Sequence, residues 1–268
     1  MKPSYIVFLV FCAGSLFVHT SCKRLLETEK NTPAFDKYKI AQIKYTSDSM
    51  PYTEAGEYDK MFYFNSAGEP LKAIAKNLQT GNSNQAFTYD AKGRLSSLVL
   101  FFGDEASSLY AAPQFNNTFV AHLYSHDPSG NIAADTFYIT DGLPIGGGGF
   151  LYSVTNFYYD SYSRLISSVE KDKYGNISEN KYQYDANGNL KGYTYDNTLN
   201  VKRLSNVMMF LNKDYSLNNR LKSSADSSES YSYTYNGNKL PVKIKGLPMM
   251  PSEFGPYAGE NEITYGLR

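Results

Sequence analysis

Apolar and polar positions alternate along most of this chain, and the alternation breaks repeatedly at the same kind of place. In YQYDANGNL at 182–190, rings at Tyr182 and Tyr184 are followed by an Asp, two spacers, a Gly and, one residue on, a Leu. Alternate residues of a strand share a face, so the two rings sit side by side. Asp185 suits the first position of a type I turn, where its carboxylate accepts from backbone N–H groups two residues on. Gly188 supplies the positive φ that closes a three-residue hairpin loop. That register sets Asp185 opposite Asn189 and Tyr184 opposite Leu190, a cross-strand pair worth roughly 0.2–1 kcal/mol.

Degenerate copies run through the chain. They are FYFNSAG at 62–68, with Leu71 delayed by Glu69-Pro70, then FTYDAKGRL at 87–95 and YSHDPSGNI at 124–132. FYYDSYSRL at 157–165 follows, with Ser163 in the glycine place. Asp160, Asp172, Asp185 and Asp196 are spaced 12, 13 and 11 residues apart, each with an aliphatic residue five positions on; Ser216, Asp226 and Asn236 continue the series at intervals of ten. Strands of about eight residues joined up and down are the expectation. Residues 37–45 read as the first strand, 261–267 as the closing one, and 79–84 as a turn at the opposite end. Residues 94–102 are apolar on both faces, which places them centrally in a sheet. Residues 207–211 (VMMFL) fit a helical turn and a buried strand equally. The stretches 102–117, 141–150 and 246–259 read as irregular. The chain is therefore predicted to be all-β, an antiparallel meander of hairpin repeats forming a large twisted sheet, a sandwich or a partly closed barrel. Tyr159 and Tyr184, 25 residues apart, differ in parity. Three-residue loops throughout would put their rings on opposite faces; an even loop or a bulge would put all tyrosine pairs on one face over one core.

These residues carry a resemblance. YxYDxxGRL and YxYDANGNL resemble the tyrosine-aspartate repeats of RHS-type wall-associated and toxin-shell proteins, over roughly residues 57–245. With the N-terminal signal described next, the chain is similar to small Gram-negative lipoproteins carrying degenerate copies. The resemblance implies a repeat type rather than an activity, because such repeats are structural. The many copies and self-cleaving core of the large shells are not seen here.

Lys2 is the only charge before Lys23, and residues 6–18 form a 13-residue apolar run, short for a membrane span and suited to a signal-peptide core. Thr20-Ser21 before Cys22 resembles a bacterial lipoprotein signal, with His19 standing where an aliphatic residue is usual. Residues 1–21 read as signal peptide, 22–35 as acylated Cys22 plus a polar tether, and 36–268 as a single β-repeat domain. The expected address is the Gram-negative envelope, lipid-anchored. After cleavage only Cys22 of the two cysteines remains, which excludes an internal disulfide or a cysteine metal site. The full chain carries 26 basic and 26 acidic residues, with no charged block to attract nucleic acid. Tyr 25 and Phe 16 against no Trp fit a strand-rich fold.

Candidate chemistry is sparse. His122 and His126 are four apart, about 13 Å along a strand, too far to share a metal. Gly146 to Gly149 lacks the Lys-Ser/Thr ending of a phosphate loop, and no catalytic or cofactor motif is present. Asp104-Glu105 has no identifiable partner. The ring pairs Tyr182, Tyr184, Tyr193, Tyr195, Tyr231, Tyr233 and Tyr235 read first as packing ladders, with a sugar-stacking platform as the functional alternative. The expectation is a non-enzymatic envelope module that engages a glycan or a protein. An envelope glycan hydrolase, or a carrier with an apolar cavity, is the alternative.

Overall fold

A computed structural model describes residues 37–48, 55–78, 82–102, 118–139, 150–225, 230–246, 249 and 258–268. The fold is nearly all antiparallel β. Its strands are β1 Tyr38–Ser47, β2 Lys60–Phe64, β3 Pro70–Ala75, β4 Asn84–Tyr89, β5 Leu95–Phe101, β6 Thr118–His126, β7 Ile132–Ile139 and β8 Phe150–Tyr159. There follow β9 Leu165–Asp172, β10 Ile177–Lys181, β11 Tyr193–Leu199, β12 Asn218–Ser223, β13 Ser232–Tyr235, β14 Pro241–Gly246 and β15 Gly259–Leu267. Thirteen form one meander sheet ordered β10-β9-β8-β7-β6-β5-β4-β3-β2-β1-β15-β14-β13, not closed into a barrel, and β11 pairs with β12 apart from it. The last strand lies against the first, with Ile43 opposite Ile263. The nearly all-buried β5 lies between β4 and β6, as its apolar run predicts.

Among the described residues one turn chemistry recurs seven times, opened by Asn65, Asp90, Asp127, Asp160, Asp172, Asp185 and Asn236. In each, the side-chain oxygen accepts from the backbone N–H four residues on. The fourth residue of each turn has positive φ, +82° at Gly188 and +57° at Ser163, so serine tolerates the glycine place by sitting deep in the left-handed well. Tyr184 faces Leu190, as the register requires.

Three details differ from the sequence reading. The residue opposite the second ring is always the fifth after the turn opener. It is therefore Pro70, not Leu71, that faces Phe64, and Pro241 that faces Tyr235. Asp196 opens no turn; it lies within β11, where its carboxylate accepts from Thr198 N–H. Ser216 is likewise not a turn opener: it is buried, its hydroxyl accepting from Leu190 N–H. Asp226 lies outside the described residues.

Bulges settle the parity question. The register shifts beside the second ring in five hairpins, skipping Leu71, Ser96, Ala133, Ile166 and Val242. The skipped Ile166 returns the later rings to the inner face, so Tyr159, Tyr182 and Tyr184 all pack on one core. The hydroxyl of the second tyrosine then reaches back to the fifth-position carbonyl of the preceding hairpin. Tyr159 donates to Ile132 O at 2.9 Å, Tyr184 to Leu165 O at 3.0 Å, Tyr195 to Leu190 O at 2.6 Å and Tyr265 to Pro241 O at 2.6 Å, and Tyr89 reaches Pro70 O in the same way. A carbonyl beside a bulge has lost its ladder partner, and the phenol supplies the missing donor.

The core-facing side of the sheet is covered by the segment after β11. Here 207–211 is helix: α1 Asn206–Leu211 follows a 3-10 helix, Val201–Leu204. Ser205 caps α1 through its hydroxyl to Met208 N–H. Val207, Met208 and Phe210 lie inward, with Phe210 edge-on to Tyr124 at 5.6 Å and to Phe157 at 5.0 Å. Single bridges, Tyr184 to Leu190 and Lys222 to Ser230, flank the β11–β12 ribbon on either side.

Candidate functional site

A cleft of about 440 Å³ opens between the hairpin tips and the helical segment. Its wall is built by repetition: Glu69 from the β2–β3 turn, Gly93 and Arg94 from β4–β5, Ser129 to Ile132 from β6–β7, and Tyr162 to Arg164 from β8–β9. The opposite wall carries Arg203, Asn206, Met209, Phe210 and Tyr215.

The tips are rigid for a local reason. In the β4–β5 and β8–β9 turns an arginine stands four residues after the aspartate and folds back onto it. Arg94 Nη2 to Asp90 and Arg164 Nη2 to Asp160 are each 2.7 Å, with Nε of each on the same oxygen. Arg164 also stacks on Tyr184 at 4.4 Å, the ring of the next hairpin. Both guanidiniums are thereby neutralised and oriented. His126 lines the cleft, with its pKa lowered by burial and by Arg94, so its ring is neutral near pH 7. Glu69 accepts from Ser205 Oγ and from the N–H groups of Asn206 and Val207 at 3.2 and 3.3 Å, anchoring α1 to the first hairpin. Burial raises its pKa against the pull of those donors. The lining is therefore rich in paired donors and acceptors, carries the rings of Tyr159, Tyr162 and Tyr215, and has little net charge.

The seven tyrosines singled out from sequence lie elsewhere and are engaged. Tyr184 and Tyr195 belong to the carbonyl ladder. Tyr182 and Tyr231 pack on the core, and Tyr193 lies under the Arg220 guanidinium at 4.1 Å. Tyr233 donates to Arg220 O, while Tyr235 bonds Asp196 and Thr198. Burial pushes the phenols of Tyr184, Tyr195, Tyr233 and Tyr235 up, to about 12 at Tyr195 and Tyr235, so they act as neutral donors. Sequence reasoning missed Arg203, Tyr162 and Tyr215 as cleft residues. Tyr162 is a turn spacer and the other two lie in the segment without periodicity, so no strand pattern marks them.

Two charge groups, one buried and one half-buried, stand apart from the cleft. Burial alone would raise Asp214, but Lys202 at 3.0 Å and Arg220 at 3.2 Å hold its carboxyl down to about 2. On the inner face of β6 and β7, His122 Nδ1 meets Asp135 at 2.9 Å. His122 and His126 lie on the same strand; among the described residues no group of three or more His, Cys, Asp or Glu could hold a metal. Cys22, Asp104-Glu105 and Gly146 to Gly149 lie outside the described residues, and among the described ones no helix is long and apolar enough to cross a membrane.

No family model matches the chain, and no curated protein matches it. Among solved structures, it is similar to a porin-like protein from Bacteroides uniformis ATCC 8492, 14% identical over 87% of this chain and 98% of that one, with a TM-score of 0.49. A porin-like protein from Bacteroides vulgatus ATCC 8482 is 11% identical over 85% and 98%, TM-score 0.33. A chain in the TcdB2-TccC3-Cdc42 structure is 13% identical over 82% of this chain and 12% of its own, TM-score 0.28. At these identities and scores the likenesses carry no functional argument, and the fold rests on the strand order above.

Proposed function

We propose that this protein is a non-enzymatic binding module of the cell envelope, held to a membrane by acylated Cys22, whose ligand is a glycan segment lying along the row of hairpin tips. The observation that carries the reading is the lining of the cleft. Neutralised, fixed Arg–Asp pairs, a neutral imidazole, the amides of Asn131 and Asn206, and three phenol rings together supply what sugar recognition needs: paired donors and acceptors beside stacking faces. The repeats themselves are of the tyrosine-aspartate type, on the strength of seven turns of one chemistry joined by a tyrosine ladder.

Two features favour this reading over its competitors. A hydrolase needs two carboxylates about 5–10 Å apart across the scissile bond. Among the described residues lining the cleft, Glu69 is the one carboxylate, and it is committed to holding α1. A carrier needs an empty apolar interior, whereas Val207, Met208 and Phe210 fill the space above the inner face.

A glycan array probed with the detergent-solubilised full chain tests the proposal, with Arg203→Ala and Tyr162→Ala as exposed cleft variants. Binding to a defined class of neutral glycan, weakened about tenfold or more by Tyr162→Ala through loss of a stacking ring, is expected. Silence across the array, or binding indifferent to both variants, overturns it and turns attention to a protein partner.

A further inference from the structure

Where one hairpin meets the next, the same junction recurs five times among the described residues. Backbone pairing toward the turn tips ends at Lys72–Ala86 between β3 and β4, at Ser97–Leu123 between β5 and β6, and at Ala134–Asn156 between β7 and β8. It ends at Ser167–Lys181 between β9 and β10, and at Lys243–Glu262 between β14 and β15. Each time, a carbonyl-bearing residue beside a bulge stands two positions before that last pair, and a ring stands three positions after it on the other strand. Four of the five are closed by a phenol, from Tyr89 to Pro70 O, Tyr159 to Ile132 O, Tyr184 to Leu165 O and Tyr265 to Pro241 O. At the junction of β5 with β6 the carbonyl belongs to Leu95 and the ring to His126. Among the described residues no side chain donates to Leu95 O, and the His126 ring makes no hydrogen bond. The imidazole extends toward the preceding tip as the tyrosines do, since it feels the charges of Arg94 and Asp90 there. Being shorter than a phenol, it ends before the place where the other four junctions set their oxygen. Leu95 and His126 both line the cleft.

A carbonyl beside a bulge needs a donor, and four junctions show what this fold uses, a hydroxyl reaching across from the next hairpin. We propose that at the fifth junction a hydroxyl of the bound sugar takes that place, donating to Leu95 O and accepting from the His126 ring N–H. Leu95 and His126 then form the specificity-determining subsite of the cleft. The inference rests on the glycan reading and sharpens it: the ligand is selected by one hydroxyl as well as by ring stacking. Either tautomer of the imidazole carries an N–H, so the hydroxyl finds a donor whichever nitrogen bears the proton. The side chains flanking the junction do not compete for the carbonyl, because Arg94 is tied to Asp90 and Asn131 to Asp127. A site whose polar groups await a hydroxyl discriminates strongly against a ligand that lacks it, since those groups are then left unpaired.

Replacing the exceptional residue by the usual one tests the subsite. His126→Tyr sets a phenol where the other junctions have one, whereas His126→Phe keeps a ring that offers no hydrogen bond. The detergent-solubilised full chain and both variants are compared by thermal unfolding and on a printed array of neutral glycans. His126→Tyr is expected to raise Tm by about 2–4 °C, the shift one added hydrogen bond gives in a domain of this size, and to weaken binding about tenfold or more. His126→Phe is expected to weaken binding to the same glycans about tenfold or more without raising Tm. A Tm unchanged or lowered in His126→Tyr means that the junction does not accept a hydroxyl, and overturns the proposal. A raised Tm with either variant binding as tightly as the wild type overturns the sugar contact and leaves the glycan reading standing. Silence of the wild type itself across the array overturns both.

Discussion

An aspartate that opens a turn and a tyrosine that reaches back to the previous turn are the two residues on which this fold is built. Tyr89, Tyr159, Tyr184 and Tyr265 each compensate a carbonyl that the neighbouring bulge has deprived of its partner. Tyr184→Phe should therefore cost about 1 kcal/mol in urea unfolding, the usual value of one such hydrogen bond, with ring packing retained. Gly188→Val should cost more, about 1–3 kcal/mol, because φ is +82° while its nearest neighbours, at 3.9 Å, leave room for the side chain; the loss is conformational. Unchanged stability would remove the hairpin assignment. Asp214 gives a pH signature. Its carboxyl sits at about 2 in the fold against 3.8 unfolded, so its contribution is fully present above about pH 4 and is lost as pH falls toward 2. Lys213 gives the opposite slope: between pH 7 and 10.5 the unfolded chain binds the extra proton, so stability climbs with pH, and Lys213→Met flattens that climb.

At the scale of elements, α1 is six residues long and too short to hold itself. It persists because Ser205 caps it, Glu69 grips its first turn from a hairpin more than 130 residues away, and Phe210 seats against Tyr124 and Phe157. Phe210→Ala should cost about 3–5 kcal/mol, the range for emptying a buried aromatic site. Ser205→Ala should cost about 1 kcal/mol. Thermal unfolding of the two variants checks the ranking. A reversed order would mean that the cap, rather than the core contact, seats the helix on the sheet.

On the scale of the whole molecule, the β1–β15 pair joins the first and last described strands at nine matched positions, whereas the β11–β12 ribbon is flanked by single bridges. Native-state hydrogen exchange should therefore show late exchange in Ile43 and Ile263 and early exchange around Leu190 and Ser230. The cleft lies where four hairpin tips meet the helical segment, so its shape depends on that segment staying seated. Phe210→Ala should weaken glycan binding together with stability, whereas Tyr162→Ala should weaken binding alone.

The sequence by itself determined the seven hairpins opened by Asp or Asn, because such a turn needs only local chemistry: an acceptor at its first position and a positive φ at its fourth. It also determined the up-and-down order and the closing strand. The tertiary structure decided what depends on distant partners. VMMFL became helix because Ser205 and Glu69 supplied its N-terminal acceptors and an aromatic floor received Phe210. The shared face of the tyrosines was decided by skipped residues such as Ile166, which no alternation pattern marks, since a bulge is visible only against its partner strand. The cleft was decided last, because Arg203 and Tyr215 come from a segment without periodicity and meet the tips only once the sheet has formed around them.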